Sequence, residues 1–171
     1  VARTAGTSAT ARAFARRPAG LPKAVLVRHL IEHVHRIRMF RPLDARASRL
    51  LERASSRTAA KWSVYARSEA VHDRYFLRDL ERIGLTRSRV EAEPPFAATN
   101  VLIDFISRAS RAHGAVAVVL YSFWAEENSD IGSAGVIART RGLFGAEAVR
   151  GAAAHRSLDD TMDHAGVIVD V

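Results

Sequence analysis

Glu69 and His72 stand three residues apart in Lys61 to Gly84, KWSVYARSEAVHDRYFLRDLERIG, where Val64, Tyr65, Val71, Phe76, Leu77 and Leu80 recur at roughly helical spacing. On a helix that separation puts a carboxylate and an imidazole on one face, where both can hold the same iron or manganese ion. Any solvated helix rich in Glu and His gives the same spacing, and that reading stays open. Two further stretches carry suitable donors. Glu126 and Glu127 follow Trp124 at the end of the apolar run AVAVVLYSFWAEE, and AHRSLDDTMDH offers His155, Asp159, Asp160, Asp163 and His164. His155 and Asp159 are i and i+4 on one face, which Asp163 continues and His164 leaves. Glu126 is favoured over Glu127 because it lies three and seven residues after Phe123 and Val119, on the stripe expected to face inward. A rival Glu-x-x-His runs from Glu32 to His35, with His29 and His33 beside it.

Buried charges are unfavourable unless paired or metal-bound, so polar residues inside apolar helices are where chemistry is expected. Glu69 with His72, a carboxylate at Glu126 or Glu127, and His155 with Asp159 make the mixed His/carboxylate shell that a non-haem iron pair requires. Against this, Glu126 and Glu127 read equally well as a helix end reaching solvent, and the last stretch as an acidic surface helix.

The elements that must position these groups are helical. The chain has 171 residues, enough for one domain with a real core. Residues 1–20 carry Arg3, Arg12, Arg16 and Arg17 among small and polar residues, and read as a flexible basic arm before a single helical domain over 21–171. From Leu21 to Phe40, an apolar stripe of Val25, Leu26, Leu30, Ile31, Val34, Ile37 and Met39 predicts a core helix that Arg41-Pro42 breaks. Leu43 to Ala54 starts another, with Leu43, Ala47, Leu50 and Leu51 inward. Ser55 or Ser56 can cap the Lys61–Gly84 helix, and Gly84 suits the position just past its end. Leu85 to Pro95 reads as a connection. A helix beginning at Thr99 or Asn100 is divided by Gly114 from the AVAVVLYSFWAEE helix. Ser129-Asp130 begins a further helix that Gly142 to Gly145 interrupts, and the last helix runs from Ala146 to the chain end. Because Val167, Ile168 and Val169 leave that end apolar, the sequence is expected to be truncated or to have segments closed up. No stretch alternates with period two, so the fold class is all-α, with about seven helices.

Composition narrows the chemistry. Cysteine is absent, so a disulfide framework, a thiolate metal site and a cysteine nucleophile are excluded. No apolar run reaches about eighteen residues and no signal-peptide core is present, which predicts a cytoplasmic protein without a membrane partner. The formal charge of +8 comes mostly from arginine and favours anionic partners such as an acidic substrate or carrier. Nucleic acid is the weaker expectation, because the arm has no aromatic interleaving and no recognition-helix pattern follows it.

From about Leu50 to His164 the sequence resembles the haem-oxygenase-like di-iron oxidases and oxygenases. The resemblance rests on the E-x-x-H-D of Glu69 to Asp73, the following FLRDLERIGL, the Pro94-Pro95 connection, the FWAEE helix and the H-x-x-x-D of His155 to Asp159. It implies a haem-oxygenase-like bundle of seven helices without haem, holding one or two Fe(II) ions that activate O2. Such enzymes oxidise amine, amino-acid-like or fatty-acid-like substrates, often in natural-product biosynthesis. Carried over, Glu69, His72 and His155 look like one iron's ligands, and Glu126 or Glu127, Asp159 and a final histidine like the other's. The family usually places that histidine about three residues after the Asp, where this chain has Met162, leaving His164 as the nearby candidate. The same bundle serves relatives that need no metal, so a metal-free or vestigial relative is one alternative. A helical nucleic-acid or protein-binding module is another. A homodimer is compatible with all of these. Phe105, Tyr121, Phe123 and Trp124 are available to line a pocket, although aromatic residues on such helices are more often core.

Overall fold

The computed structural model describes residues 22–162 together with Gly166, Ile168 and Val171, with side chains described throughout except at 129–133 and 159–162. The basic arm at 1–20, Asp163 and His164 therefore lie outside the described residues, as do the side chains of Asp159 and Asp160. Among the described residues the chain forms seven α-helices and one 3-10 turn, with no strand, as the absence of period-two alternation requires.

Helix α1 (Lys23–Ala54) is the spine, and its 32 residues span about 48 Å at the usual helical rise. Pro42 lies inside it, where a break was expected. The ring removes one intrahelical bond, to the carbonyl of Arg38, but neighbouring contacts hold the segment in line. Arg38 and Arg41 both bind the buried carboxylate of Asp73, and Leu43 and Ala47 continue the buried stripe beyond the proline.

Helix α2 (Ser56–Glu69) starts where Ser55, one of the two expected caps, accepts the backbone N–H of Thr58 at 3.3 Å. The single helix expected over 61–84 is instead two, because α2 stops at Glu69 and α3 (Asp73–Arg82) begins after a turn. In that turn the N–H groups of Val71 and His72 bond to the carbonyls of Ser68 and Glu69, three residues back. This tightening redirects the chain without glycine or proline. Helix α3 ends as predicted: Gly84 has φ +92°, and Leu85 N–H reaches back to the Leu80 carbonyl at 3.0 Å.

The connection after Leu85 contains a short helix, α4 (Arg87–Ala92), and α5 (Ala97–His113) starts two residues before Thr99. Helix α6 (Val116–Phe144) is continuous through Ser129-Asp130, where a new start was expected, and stops within the Gly142 to Gly145 stretch expected to interrupt it. Gly145, at φ +90°, ends it. A 3-10 turn (Ala146–Val149) leads into α7 (Arg150–Met162).

Two apolar clusters form along the spine. Leu26, Leu30, Ile31 and Val34 of α1 meet Leu77 and Leu80 of α3, Val90 and Val136. Leu43 and Ala47 of α1 meet Trp62 and Tyr65 of α2, Ile106, Val118 and Ile168. Since α2 belongs to one cluster and α3 to the other, the turn joining them falls between. No helix among the described residues is long and apolar enough to cross a membrane.

Candidate metal centre at the turn between α2 and α3

The turn brings Glu69 and His72 together although they no longer share a helix. Glu69 Oε1 lies 2.9 Å from Nδ1 of His72, whose side chain is fully buried. Two donors bound at about 2.1 Å and at right angles around one ion stand about 3 Å apart, so the pair has the spacing of one edge of a coordination shell. The same distance also suits a carboxylate that fixes the imidazole's tautomer.

Helix α7 supplies the next group. The His155 ring packs edge-on against His72, with centroids 4.2 Å apart, and against Phe76 at 5.1 Å. Its position depends on the start of α7, where both oxygens of Asp79 accept backbone N–H groups, from Gly151 at 2.8 Å and Ala152 at 2.7 Å. That carboxylate from α3 caps α7 and fixes the height of His155 opposite His72. Gly151 allows a close approach of the two helices. A Cβ at that position would stand 2.1 Å from the Tyr75 carbonyl oxygen.

On the other side of the turn, Tyr65 donates its hydroxyl hydrogen to Oε1 of Glu126 at 3.0 Å. Glu126 therefore points inward from α6 while Glu127 is exposed, in agreement with the helical phase. Burial pushes the Tyr65 phenol well above its ordinary pKa, and the charges of Glu126 and Glu69 push the same way.

One acidic residue of the site was missed by sequence reasoning. Asp44, on α1, is buried and its pKa is pushed up to about 8, first by burial and then by the charge of Glu69. Its Oδ1 has no hydrogen-bond partner, while its backbone carbonyl accepts the Trp62 indole N–H at 3.2 Å. The signal was present: Asp44 sits between Leu43 and Ala47, within the phase of the buried stripe. Asp44, Glu69 and Glu126 thus concentrate carboxylates in a chain whose net charge is +8.

Two of the rival donors, Glu32 and His33, have partners elsewhere. Glu32 pairs with Arg28 at 2.9 Å and accepts the Phe96 N–H at 2.9 Å, just before α5. It ties α1 to α5 and is not joined to His35. His33 contacts Arg36 through Nδ1 at 3.2 Å, and its ring lies 4.9 Å from His29 and 5.0 Å from Phe76. Asp73, the last residue of the E-x-x-H-D stretch, is held by Arg38 and Arg41.

The four aromatic residues do not line a common pocket: Tyr121 and Phe123 join the second core cluster, whereas Phe105 is exposed. A groove of about 340 Å³ lies between α6 and α7, lined by Ile137, Ala138, Arg141, Ala153 and Arg156 among others.

The donor types and the Glu69–His72 spacing fit iron, and the half-buried carboxylates of Glu69 and Glu126 favour a cation. Among the described residues, however, no three His, Asp or Glu side chains are placed to hold one ion together. Glu69, His72, His155 and Glu126 are gathered around one turn, while the Asp159 side chain and His164 are outside the described set. No protein-family model, curated protein or solved structure significantly matches the chain.

Proposed function

We propose that the protein is a non-haem iron enzyme that activates O2 to oxidise a small substrate, with its metal centre at the α2–α3 turn. The observation that supports this best is the half-buried Glu69 carboxylate 2.9 Å from the fully buried His72, with the His155 ring against it. Glu69 and His72 would give one ion its first two donors, and because no described trio is already placed to hold an ion, His155 would have to turn toward it on binding; Glu126 with Asp159 and His164 would serve a second. Iron bound there would supply one-electron chemistry toward O2, which closed-shell side chains cannot provide.

This chain's own residues have separate tasks in that reading. Asp79 positions His155 by capping α7, and Tyr65 holds Glu126 at a fixed oxygen. In the metal-free protein, burial and then the charge of Glu69 push the Asp44 carboxyl up to about 8, and a cation on Glu69 would favour release of that proton. Trp62 and Leu77, both buried, help to shut water out on either side of the turn. The arginines of the α6–α7 groove suit an acidic or carrier-bound substrate.

Iron analysis after anaerobic Fe(II) loading tests the proposal. The wild type is expected to retain stoichiometric iron, and Glu69→Ala to lose it while keeping its helical content. Normal iron binding by a folded Glu69→Ala variant would remove the assignment. A folded wild type that takes up no iron would favour a metal-free relative.

A further inference from the structure

Helices α5 and α6 form a hairpin through Gly114 and lie side by side on α1, turning Ile106, Ser110, Val118 and Ser122 inward. Their outward faces are unusually apolar. Val101 is 66% and Phe105 61% exposed on α5, one turn apart; Val116 is 51%, Leu120 61% and Trp124 39% exposed on α6, at successive turns. Together these five side chains open on the order of 500 Å² of apolar surface, near the upper limit for a monomer and over half of what each partner of a standard interface buries, about 800 Å².

The charge pattern selects the occupant. The chain holds 26 Lys and Arg residues, yet none occurs from Ala112 to Ala138. Two copies of a +8 protein repel one another over most of their surface, and the α6 face is where that repulsion is weakest. An acidic partner would call for arginines along the α6 stripe as well, where there are none. On α5 the flanking charges are self-complementary: Asp104 and Arg108, both exposed, lie one turn apart beside Phe105. In an isologous pairing, with α5 antiparallel to its own copy, Asp104 of one chain faces Arg108 of the other.

We propose that this α5–α6 face is a homodimer interface, centred on Phe105 and Leu120, whose partner is a second copy of the chain. Sedimentation equilibrium of the 171-residue protein should show a dimer, and Phe105→Arg and Leu120→Arg should each give a monomer with unchanged helical content. Asp104→Arg should weaken association by about tenfold or more, and adding Arg108→Asp in the same chain should restore it, because the swap rebuilds the pair in reverse. That rescue distinguishes a defined two-fold contact from nonspecific adhesion. A wild type that stays monomeric at all soluble concentrations would overturn the proposal. So would a dimer indifferent to both arginine variants, or binding to lipid vesicles by a protein that is monomeric in solution.

Discussion

The carboxylate of Asp79 on α3 accepts the backbone N–H of Gly151 on α7 at 2.8 Å, joining positions 72 residues apart. This contact needs both partners. A side chain at 151 would meet the Tyr75 carbonyl 2.1 Å away, a backbone atom that cannot swing aside. Gly151→Ala is therefore expected to lower stability by about 3 kcal/mol, by the overpacking mechanism, despite alanine's better helix propensity. Asp79→Ala removes the cap and the ion pair with Arg82 but adds no clash, at about 1–2 kcal/mol. Urea midpoints of the two variants check the order; a neutral Gly151→Ala would show that the helices separate easily.

That pair illustrates what the sequence could and could not reveal. Ser55 and Gly84 were legible because capping depends on a few neighbouring atoms. The turn after Glu69 was not legible: apolar spacing continues from Tyr65 through Val71 to Phe76, and no residue there enforces a break. Pro42 misled in the other direction, since the contacts that keep α1 continuous come from Asp73, far along the chain. Glu32 and Glu69 look alike in sequence, each followed three residues later by histidine. Only tertiary structure separates a carboxylate tied to Arg28 and the start of α5 from one facing a buried imidazole.

Asp44 should make the metal-free protein less stable as pH rises. Its folded pKa of about 8 lies above its ordinary value of 3.8, so its contribution is fully present below about pH 4. Between those values the folded state holds a proton that the unfolded chain has released, and the contribution is lost as pH rises through 8. Asp44→Asn keeps the shape without the titration. Urea unfolding at pH 5 and pH 8 should show the variant's advantage growing with pH. Parallel curves would mean that Asp44 titrates normally.

The opposite slope is expected from His29 and His33. Burial lowers His29 to about 4, with the Arg36 charge acting the same way and Glu32 opposing it; burial and Arg36 hold His33 low too. Their contributions are present above the ordinary histidine value of 6.5 and are lost as pH falls toward 4. The wild-type Tm should therefore drop between pH 7 and pH 5. In a His29→Gln, His33→Gln double variant that drop should shrink. An undiminished drop would assign acid sensitivity to other groups.

Glu126 and Glu127 are adjacent in sequence but differ in what removing a charge should do. Glu126 accepts the Tyr65 hydroxyl at 3.0 Å beside the Glu69–His72 turn, whereas Glu127 faces solvent. Glutamine at 126 can still accept that hydrogen bond through its carbonyl, so the helix packing should survive and stability should change by less than about 1 kcal/mol. Its amide nevertheless lacks the negative charge that a second iron would require, so Fe(II) retained per chain should fall in Glu126→Gln and stay at the wild-type value in Glu127→Gln. Iron analysis of both variants, with circular dichroism to verify folding, makes the comparison. Equal iron retention in the two would leave Glu126 as Tyr65's hydrogen-bond partner alone and restrict the centre to the ion held by Glu69, His72 and His155.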